Sequence, residues 1–178
     1  RFNSPVKPLP LSGSSGAYFS YNRSTNPVLY DFNSVLINYC DGAAFSGRRA
    51  EPRTVLGRSL FFQGSYILDA VAADLKLHHG LAHATEVVVG GCSAGGHAAI
   101  LQVDPWRARL PPTAFVVGLP DSGFFLDWAS PPRGSEPQSR SFHTDLGGIF
   151  HAANASVNQA CTDAHVAAGA DPARCFFA

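Results

Sequence analysis

One short motif in the chain has the composition of a catalytic turn. Residues 91–95 read Gly-Cys-Ser-Ala-Gly, which is the G-x-S-x-G pattern of a serine nucleophile held between a strand and a helix. Bulky side chains two positions before and after Ser93 would clash in such a turn, so Gly91 and Gly95 suit it. The backbone N–H of Ala94 would lie at a helix N-terminus, where it can stabilise an oxyanion. The motif therefore predicts acyl transfer through Ser93.

The segments on either side of this motif have the patterns that such a turn requires. The β-branched run at 87–89 predicts a buried strand before the motif, and residues 95–109 have the pattern of a helix after it. Apolar spacing also predicts a helix over 64–79 and strands over 35–37 and 114–119. Strands that alternate with helices in this way indicate βαβ units and a parallel sheet.

The predicted elements form an α/β fold with an incomplete parallel sheet flanked by helices. Three strands are fewer than a doubly wound enzyme usually has, so we expect the sheet to lack strands at both ends of this chain. A further helix is predicted over about 144–155, and the Pro-, Ser- and Gly-rich residues 129–140 read as a loop. We predict a coil-like segment at 1–27 and one partial domain at 28–178.

A serine hydroxyl becomes a good nucleophile only when a histidine takes its proton and an acid orients that histidine. Acidic and histidine candidates follow Ser93 along the chain: Asp104, Asp121, Asp127, Asp145, Asp163, Asp171, His143, His151 and His165. The acid and base of such enzymes lie on loops after later strands, and only one predicted strand follows the motif. We therefore expect these residues to be ordinary loop or surface groups, and the catalytic Asp and His to lie beyond the chain.

Two residues beside the serine also have reactive side chains. His97 lies one turn into the predicted helix, where its side chain would point away from the tip of the turn, so we expect a structural or site-rim residue. Cys92 directly precedes Ser93, and we expect it to be a small buried apolar residue.

Composition and charge exclude several classes of function. Thirteen basic and thirteen acidic side chains give a formal net charge of zero, which leaves no basic excess for nucleic acid. No apolar run is long enough to span a bilayer. The 178 residues contain no Met, so we expect a processed chain or a fragment. No metal or organic cofactor is implied, since acyl transfer through serine needs none.

The cysteines indicate an oxidising compartment. The four are Cys40, Cys92, Cys161 and Cys175, and none belongs to a CxxC pair, so a zinc site is not expected. Cys161 and Cys175 bracket a short polar segment and are spaced so that a local disulfide is possible. Two N-x-S/T sequons, at Asn22 and Asn154, are consistent with a secreted glycoprotein.

Several further segments of the sequence accompany the serine motif in a fixed order: 38–47 (Asn-Tyr-Cys-Asp-Gly-Ala-Ala-Phe-Ser-Gly), 60–64 (Leu-Phe-Phe-Gln-Gly), 91–96 (Gly-Cys-Ser-Ala-Gly-Gly) with Ile100, Leu101 and Asp104, 121–127 (Asp-Ser-Gly-Phe-Phe-Leu-Asp) and 175–177 (Cys-Phe-Phe). In these segments the chain resembles the family of pectin acetylesterases and Notum-type carboxylesterases, and it is more similar to the first branch. The resemblance implies a secreted Ser-His-Asp hydrolase of the α/β-hydrolase type that removes acetyl esters from cell-wall pectin.

The resemblance also implies roles for single residues. Ser93 matches the family nucleophile and Ala94 its oxyanion donor in the turn. Phe125, Phe176 and Phe177 match positions that border the acyl pocket, where apolar walls suit an acyl group, and plain core packing is the alternative for each of them. Cys161 and Cys175 match a local family disulfide. The family's first oxyanion loop would precede this chain, and its acid and base would follow residues 175–177.

Two alternatives to an acetylesterase stay open. A lipid carboxylesterase of the Notum kind would need a longer apolar pocket. A non-catalytic family member would bind polysaccharide without hydrolysing it, although such a protein has no need to keep Gly91, Ser93 and Gly95.

Overall fold

The structure is a computed structural model that describes residues 18–127 and 142–177, in two separate units. The first unit is Arg1–Asn38 and the second is Tyr39–Ala178. In the first unit, residues 18–32 form a series of turns. The buried Asn26 amide donates at 3.0 Å to the carbonyls of Tyr18 and Ser20.

The strand predicted over 35–37 is not formed. Val35 and Leu36 are about half exposed, at 52% and 50%, and residues 33–40 have no regular secondary structure. A strand needs a partner to take up its backbone hydrogen bonds, and the structure pairs none with this segment in the residues it describes. Of the predicted coil at 1–27, only 18–27 lie within the described residues; the extent of the partial domain stays a prediction.

The second unit contains four strands and four helices in its described part. In chain order they are β1 (Arg53–Val55), β2 (Arg58–Leu60), α1 (Gly64–His78), β3 (Glu86–Cys92), α2 (Ala94–Arg109), β4 (Phe115–Asp121), α3 (Phe142–Ala153) and α4 (Gln159–Ala167), with short 3-10 turns at Leu81–His83 and Pro172–Phe176. Two predicted strands and three predicted helices are confirmed as β3, β4, α1, α2 and α3. The hairpin of β1 and β2 and the helix α4 were not predicted.

The hairpin was missed because of an unusual turn residue. Leu56 and Gly57 connect the antiparallel strands β1 and β2, and both have positive φ angles, of 50° and 74°. A two-residue hairpin loop with this geometry normally has Asn or Gly at its first position. Leu56, whose side chain is 98% exposed, gives no such signal in the sequence.

The elements around the predicted turn form a βαβ unit. Strands β3 and β4 are parallel, with a register that runs from Glu86 opposite Phe115 to Cys92 opposite Asp121. Helix α2 connects them and contacts both. The α/β class is confirmed, and the described part of the parallel sheet has two strands. Because parallel strands end at the same edge, the turn after β3 lies beside the loop after β4.

A disulfide joins the last two elements of the chain. Cys161 in α4 is bonded to Cys175 in the turn Pro172–Phe176, with the two Cα atoms 5.9 Å apart. The Asn158 side chain caps α4 by accepting a hydrogen bond from the Cys161 N–H at 3.0 Å. The disulfide and the cap fix the segment that carries Phe176 and Phe177.

A single buried carboxylate organises the loop before β1. Asp41 is 5% exposed, and its two carboxylate oxygens accept four backbone N–H hydrogen bonds of 3.1 Å, from Ala43, Phe45, Gly47 and Gly64. Since Gly64 is the first residue of α1, the negative charge lies at the positive end of that helix. The glycines are needed there, because a Cβ atom at either would overlap the carboxylate.

Replacing this carboxylate by an amide tests its importance. In Asp41→Asn the side-chain amide N–H₂ group would face backbone N–H groups that now donate to the carboxylate. The substitution also removes the buried negative charge that those groups stabilise. We expect it to lower the free energy of unfolding by about 3 kcal/mol. Asp74→Asn, in α1 with its side chain 60% exposed, is the matched control. Urea unfolding curves measure both; a loss for Asp41→Asn no larger than the control's would contradict this role.

Candidate active site

Ser93 occupies a strained turn between β3 and α2. Its backbone has φ 55° and ψ −118°, a combination that residues with a side chain rarely adopt. Two backbone hydrogen bonds hold it, from the Ser93 N–H to the Asp121 carbonyl at 2.9 Å and from the His97 N–H to the Ser93 carbonyl at 3.0 Å. The Ser93 residue is exposed. The structure therefore presents its hydroxyl at the carboxyl edge of the parallel strands.

Close backbone contacts explain which glycines this turn requires. A Cβ atom on Gly91 would overlap the backbone of Gly95. One on Gly96 would lie 2.5 Å from the Asp121 carbonyl oxygen, and one on Gly123 would overlap Gly96. By contrast, a Cβ on Gly95 would meet no atom within 4 Å, so the turn has room for a Cβ there, and the clash expected for a bulky side chain at Gly95 stays a prediction. The second tight contact is between Gly96 and Gly123, which the motif did not reveal.

Helix α2 directs its N-terminus at the same point. Ala94 is its first residue, and its N–H is one of the four that have no partner inside a helix. The first turn of α2 contains no acidic side chain, so the positive end of the helix dipole is not neutralised locally. This position suits the oxyanion role predicted for Ala94, which stays a prediction.

His97 is buried behind the turn and is not placed to act as a base. It is 3% exposed, and its Nε2 donates to the Phe176 carbonyl oxygen at 2.5 Å. Burial lowers the pKa of His97, although its bond to the Phe176 carbonyl opposes that shift, so the neutral Nε2–H form is favoured. The ring contacts those of Phe125 and Phe176, with centroids 5.1 Å and 4.8 Å away. A structural role agrees with the sequence-based expectation.

The three predicted acyl-pocket residues are not equivalent. Phe176 is 1% exposed and packs between His97 and Phe150, so it is a core residue here. Phe125 is half-buried, and its ring also contacts that of His97. Phe177 is half-buried and lies nearly parallel to the ring of His143, with centroids 6.2 Å apart. The structure thus places Phe125 and Phe176 against the same histidine, His97, whereas Phe177 contacts His143.

An acid–histidine pair was missed in the sequence. His143 Nδ1 lies 2.6 Å from Asp127 Oδ1, which is the contact that orients the histidine of a catalytic triad. The order Ser93, Asp127, His143 is also that of the α/β-hydrolase family. Within residues 18–127 and 142–177, however, no histidine is hydrogen-bonded to the Ser93 hydroxyl. The described structure does not assemble a triad.

Comparison with known proteins identifies the family. The pectinacetylesterase profile matches residues 9–178.

The chain belongs to the pectinacetylesterase family.

Among its relatives, pectin acetylesterase 5 of Arabidopsis thaliana is 37% identical over 158 residues, which cover 89% of this chain and 35% of that protein. Pectin acetylesterase 4 of the same plant is 34% identical, with 89% and 36% covered. The palmitoleoyl-protein carboxylesterase NOTUM of Schmidtea mediterranea is 37% identical over 64% of this chain and 21% of that protein. The chain therefore spans about a third of the length of the pectin acetylesterases it matches.

A solved structure shows the same fold. The Wnt deacylase Notum from Drosophila has a TM-score of 0.73 and 27% sequence identity, over 90% of this chain and 46% of that one. This similarity confirms the α/β-hydrolase-like fold that the sequence motifs implied for this member of the pectinacetylesterase family.

The environment of Cys92 differs from the prediction made for it. Cys92 is a free, exposed thiol rather than a buried apolar residue, because it is the last residue of β3, at the sheet edge where the turn begins. Cys40 is also free and exposed. Cys161, His165 and Cys175 lie close enough together to hold a metal ion, but the disulfide between the cysteines removes the two thiolate ligands.

The two glycines of the motif provide a sharp test of the turn. We expect Gly91→Ala to lower the free energy of unfolding by about 2 kcal/mol or more, because its Cβ meets backbone that cannot move cheaply. Gly95→Ala should change it by less than about 1 kcal/mol, and in the stabilising direction, because Ala favours a helix more than Gly does. Thermal unfolding measures both. Equal losses for the two variants would contradict the described turn.

Proposed function

We propose that Ser93 is the nucleophile of a carboxylic-ester hydrolase that removes acetyl groups from pectin or a related cell-wall polysaccharide. The observation that carries this proposal is the strained, exposed position of Ser93 between β3 and α2, in a chain that belongs to the pectinacetylesterase family. The names of its plant relatives support the substrate class.

The reaction follows from the chemistry of the turn. The Ser93 oxygen attacks the acetyl carbonyl carbon, and the Ala94 N–H at the start of α2 stabilises the negative oxygen that forms. The base takes the Ser93 proton and gives it to the sugar oxygen, so the bond from that oxygen to the acetyl carbon breaks and the sugar leaves as an alcohol. Water then attacks the acetyl-serine ester, which releases acetate and restores the Ser93 hydroxyl. The base and its acid orienter are proposed to lie beyond the segment 175–177, as the family resemblance implies, since the Asp127–His143 pair makes no contact with Ser93.

The packing of Phe176 supports a short acyl group. Its side chain is buried, and its ring packs against those of His97 and Phe150. An acetyl group needs little apolar volume, whereas a fatty acyl chain needs a long apolar cavity. This observation favours the acetylesterase over a lipid carboxylesterase, the activity named for its Notum relatives.

We further propose that the protein is secreted. The Cys161–Cys175 disulfide supports an oxidising compartment, and the two sequon residues Asn22 and Asn154 are exposed. None of the helices in the described parts of the chain is both long and apolar enough to cross a membrane.

Ser93→Ala tests the proposal in the protein that carries these 178 residues. We expect hydrolysis of p-nitrophenyl acetate to fall by at least about 10³-fold, because the attacking oxygen is lost. Wild-type protein should also hydrolyse the acetyl ester faster than the octanoyl ester. Ser122→Ala is the matched control, since Ser122 is an exposed serine with φ 52° after β4.

Circular dichroism would show whether both variants keep the fold. Activity retained in Ser93→Ala would refute the nucleophile assignment. A preference for the octanoyl ester would instead favour the lipid carboxylesterase.

A further inference from the structure

Three segments of the candidate site are in contact with one buried residue, His97. Its backbone N–H donates to the Ser93 carbonyl at 3.0 Å, at the start of α2. Its ring contacts that of Phe125, in the loop after β4, and its Nε2 donates to the carbonyl of Phe176 at 2.5 Å. His97 therefore connects the nucleophile turn to two segments that carry predicted acyl-pocket residues.

The contact with Phe176 calls for a side chain that is both flat and a hydrogen-bond donor. Phe176 and His97 are almost completely buried, and a buried carbonyl that loses its donor is costly because water cannot replace the bond. The imidazole supplies the N–H. Its ring also packs against two aromatic rings, at 43° to that of Phe125 and at 69° to that of Phe176. An aliphatic side chain of similar size could pack there but could not donate.

The backbone beside His97 has little freedom to move. A Cβ atom on Gly96 would lie 2.5 Å from the Asp121 carbonyl oxygen, and one on Gly123 would lie 2.6 Å from the His97 nitrogen. The first turn of α2 therefore packs directly on the loop that leads to Phe125. Because the main chain is in contact on this side, the His97 ring has a fixed position relative to the nucleophile.

The segment that carries Phe176 is also held by the helices that precede it. The disulfide Cys161–Cys175 joins the turn Pro172–Phe176 to α4, and the Phe176 ring lies 6.2 Å from that of Phe150 in α3. These contacts fix the segment relative to α3 and α4. The hydrogen bond from His97 fixes it relative to α2, and so relative to the residue at which that helix begins.

We propose that His97 is a positioning residue that sets the acyl-chain selectivity of the reaction at Ser93, by holding Phe125 and Phe176 as a rigid wall of the acyl site. The proposal rests on the proposed function and deepens it. A wall that cannot shift discriminates between acyl groups that differ by one or two methylene groups, whereas a mobile wall adapts to both.

Acyl-chain selectivity in the protein that carries these 178 residues tests the proposal. His97→Leu keeps apolar volume but removes the donor. We expect the ratio of kcat/KM for p-nitrophenyl acetate to that for p-nitrophenyl butyrate to fall at least about fivefold, because the wall is no longer held. His97→Gln keeps an N–H donor at the reach of Nε2 and should keep this ratio within about twofold of the wild-type value.

A shorter amide provides a second variant in case His97→Leu does not fold. In His97→Asn the amide nitrogen lies near the position of Nδ1 and does not reach the Phe176 carbonyl, so the ratio should fall as it does in His97→Leu. The ratio does not depend on the amount of active protein, so a partial loss of folded enzyme leaves it unchanged.

Gln102 provides the matched control on the same helix. It is 3% exposed, as His97 is, and its side chain donates to the Phe45 carbonyl at 3.4 Å. Gln102→Leu therefore also removes a buried hydrogen bond from α2 to a backbone carbonyl, but in a segment without predicted acyl-pocket residues. It should lower the thermal unfolding midpoint and leave the acetyl-to-butyryl ratio unchanged.

Hydrogen exchange measures the positioning separately from the reaction. We expect His97→Leu to increase amide exchange at least about tenfold in peptides that cover 172–177, because the segment opens locally more often. Gln102→Leu should increase exchange in peptides that cover 43–47 instead. Mass spectrometry of both variants reports these changes without any substrate.

The outcomes separate this proposal from the esterase itself. An unchanged ratio in folded His97→Leu or His97→Asn, an equal change in Gln102→Leu, or unchanged exchange over 172–177 would each overturn the positioning role, while hydrolysis by the wild-type protein would still support the esterase. Wild-type protein that hydrolyses neither ester would refute the proposed function and the selectivity that depends on it. Faster exchange over 172–177 in His97→Leu would then still show that the His97 ring holds this segment.

Discussion

The Asp41 carboxylate is the interaction on which the arrangement of the second unit depends. It gathers four backbone N–H groups, which fold residues 41–47 into a compact loop and fix the first residue of α1. A buried carboxylate is tolerated only when hydrogen bonds replace the water it has lost, and here backbone donors supply all of them. The same loop then becomes the surface against which other elements are placed.

Several elements attach to the loop that Asp41 shapes. The Phe45 carbonyl accepts a hydrogen bond from Gln102 of α2 at 3.4 Å, and the Ser46 carbonyl accepts one from the Ser156 N–H at 2.7 Å. The Arg48 N–H donates to the Ala153 carbonyl at the end of α3, at 3.1 Å. Helix α2, which begins at the nucleophile turn, is thus held from the loop side as well as by β3 and β4. The strain at Ser93 is stable because its surroundings are fixed on both sides.

The sequence predicted the parts of the structure that depend on local patterns. The run at 87–89, the glycines of the motif and the apolar spacing of α1 led to β3, the turn and the helices. Prediction from the sequence failed where a contact between distant parts of the fold determines the local structure. The run at 35–37 has strand composition but no partner, and the hairpin turn at Leu56 uses a residue that rarely adopts a positive φ. The Gly96–Gly123 contact and the Asp127–His143 pair depend on how the chain folds back on itself, so the sequence offered Asp127 and His143 as candidates without showing that they pair.

The most direct test of the central assignment is covalent labelling of the protein that carries these 178 residues. A fluorophosphonate reacts covalently with the activated serine of a serine hydrolase, and peptide mass spectrometry then locates the labelled residue. We predict one adduct on Ser93, formed in proportion to the loss of acetyl-ester hydrolysis. Loss of hydrolysis with the adduct on another residue, or hydrolysis that persists with Ser93 fully labelled, would contradict the account.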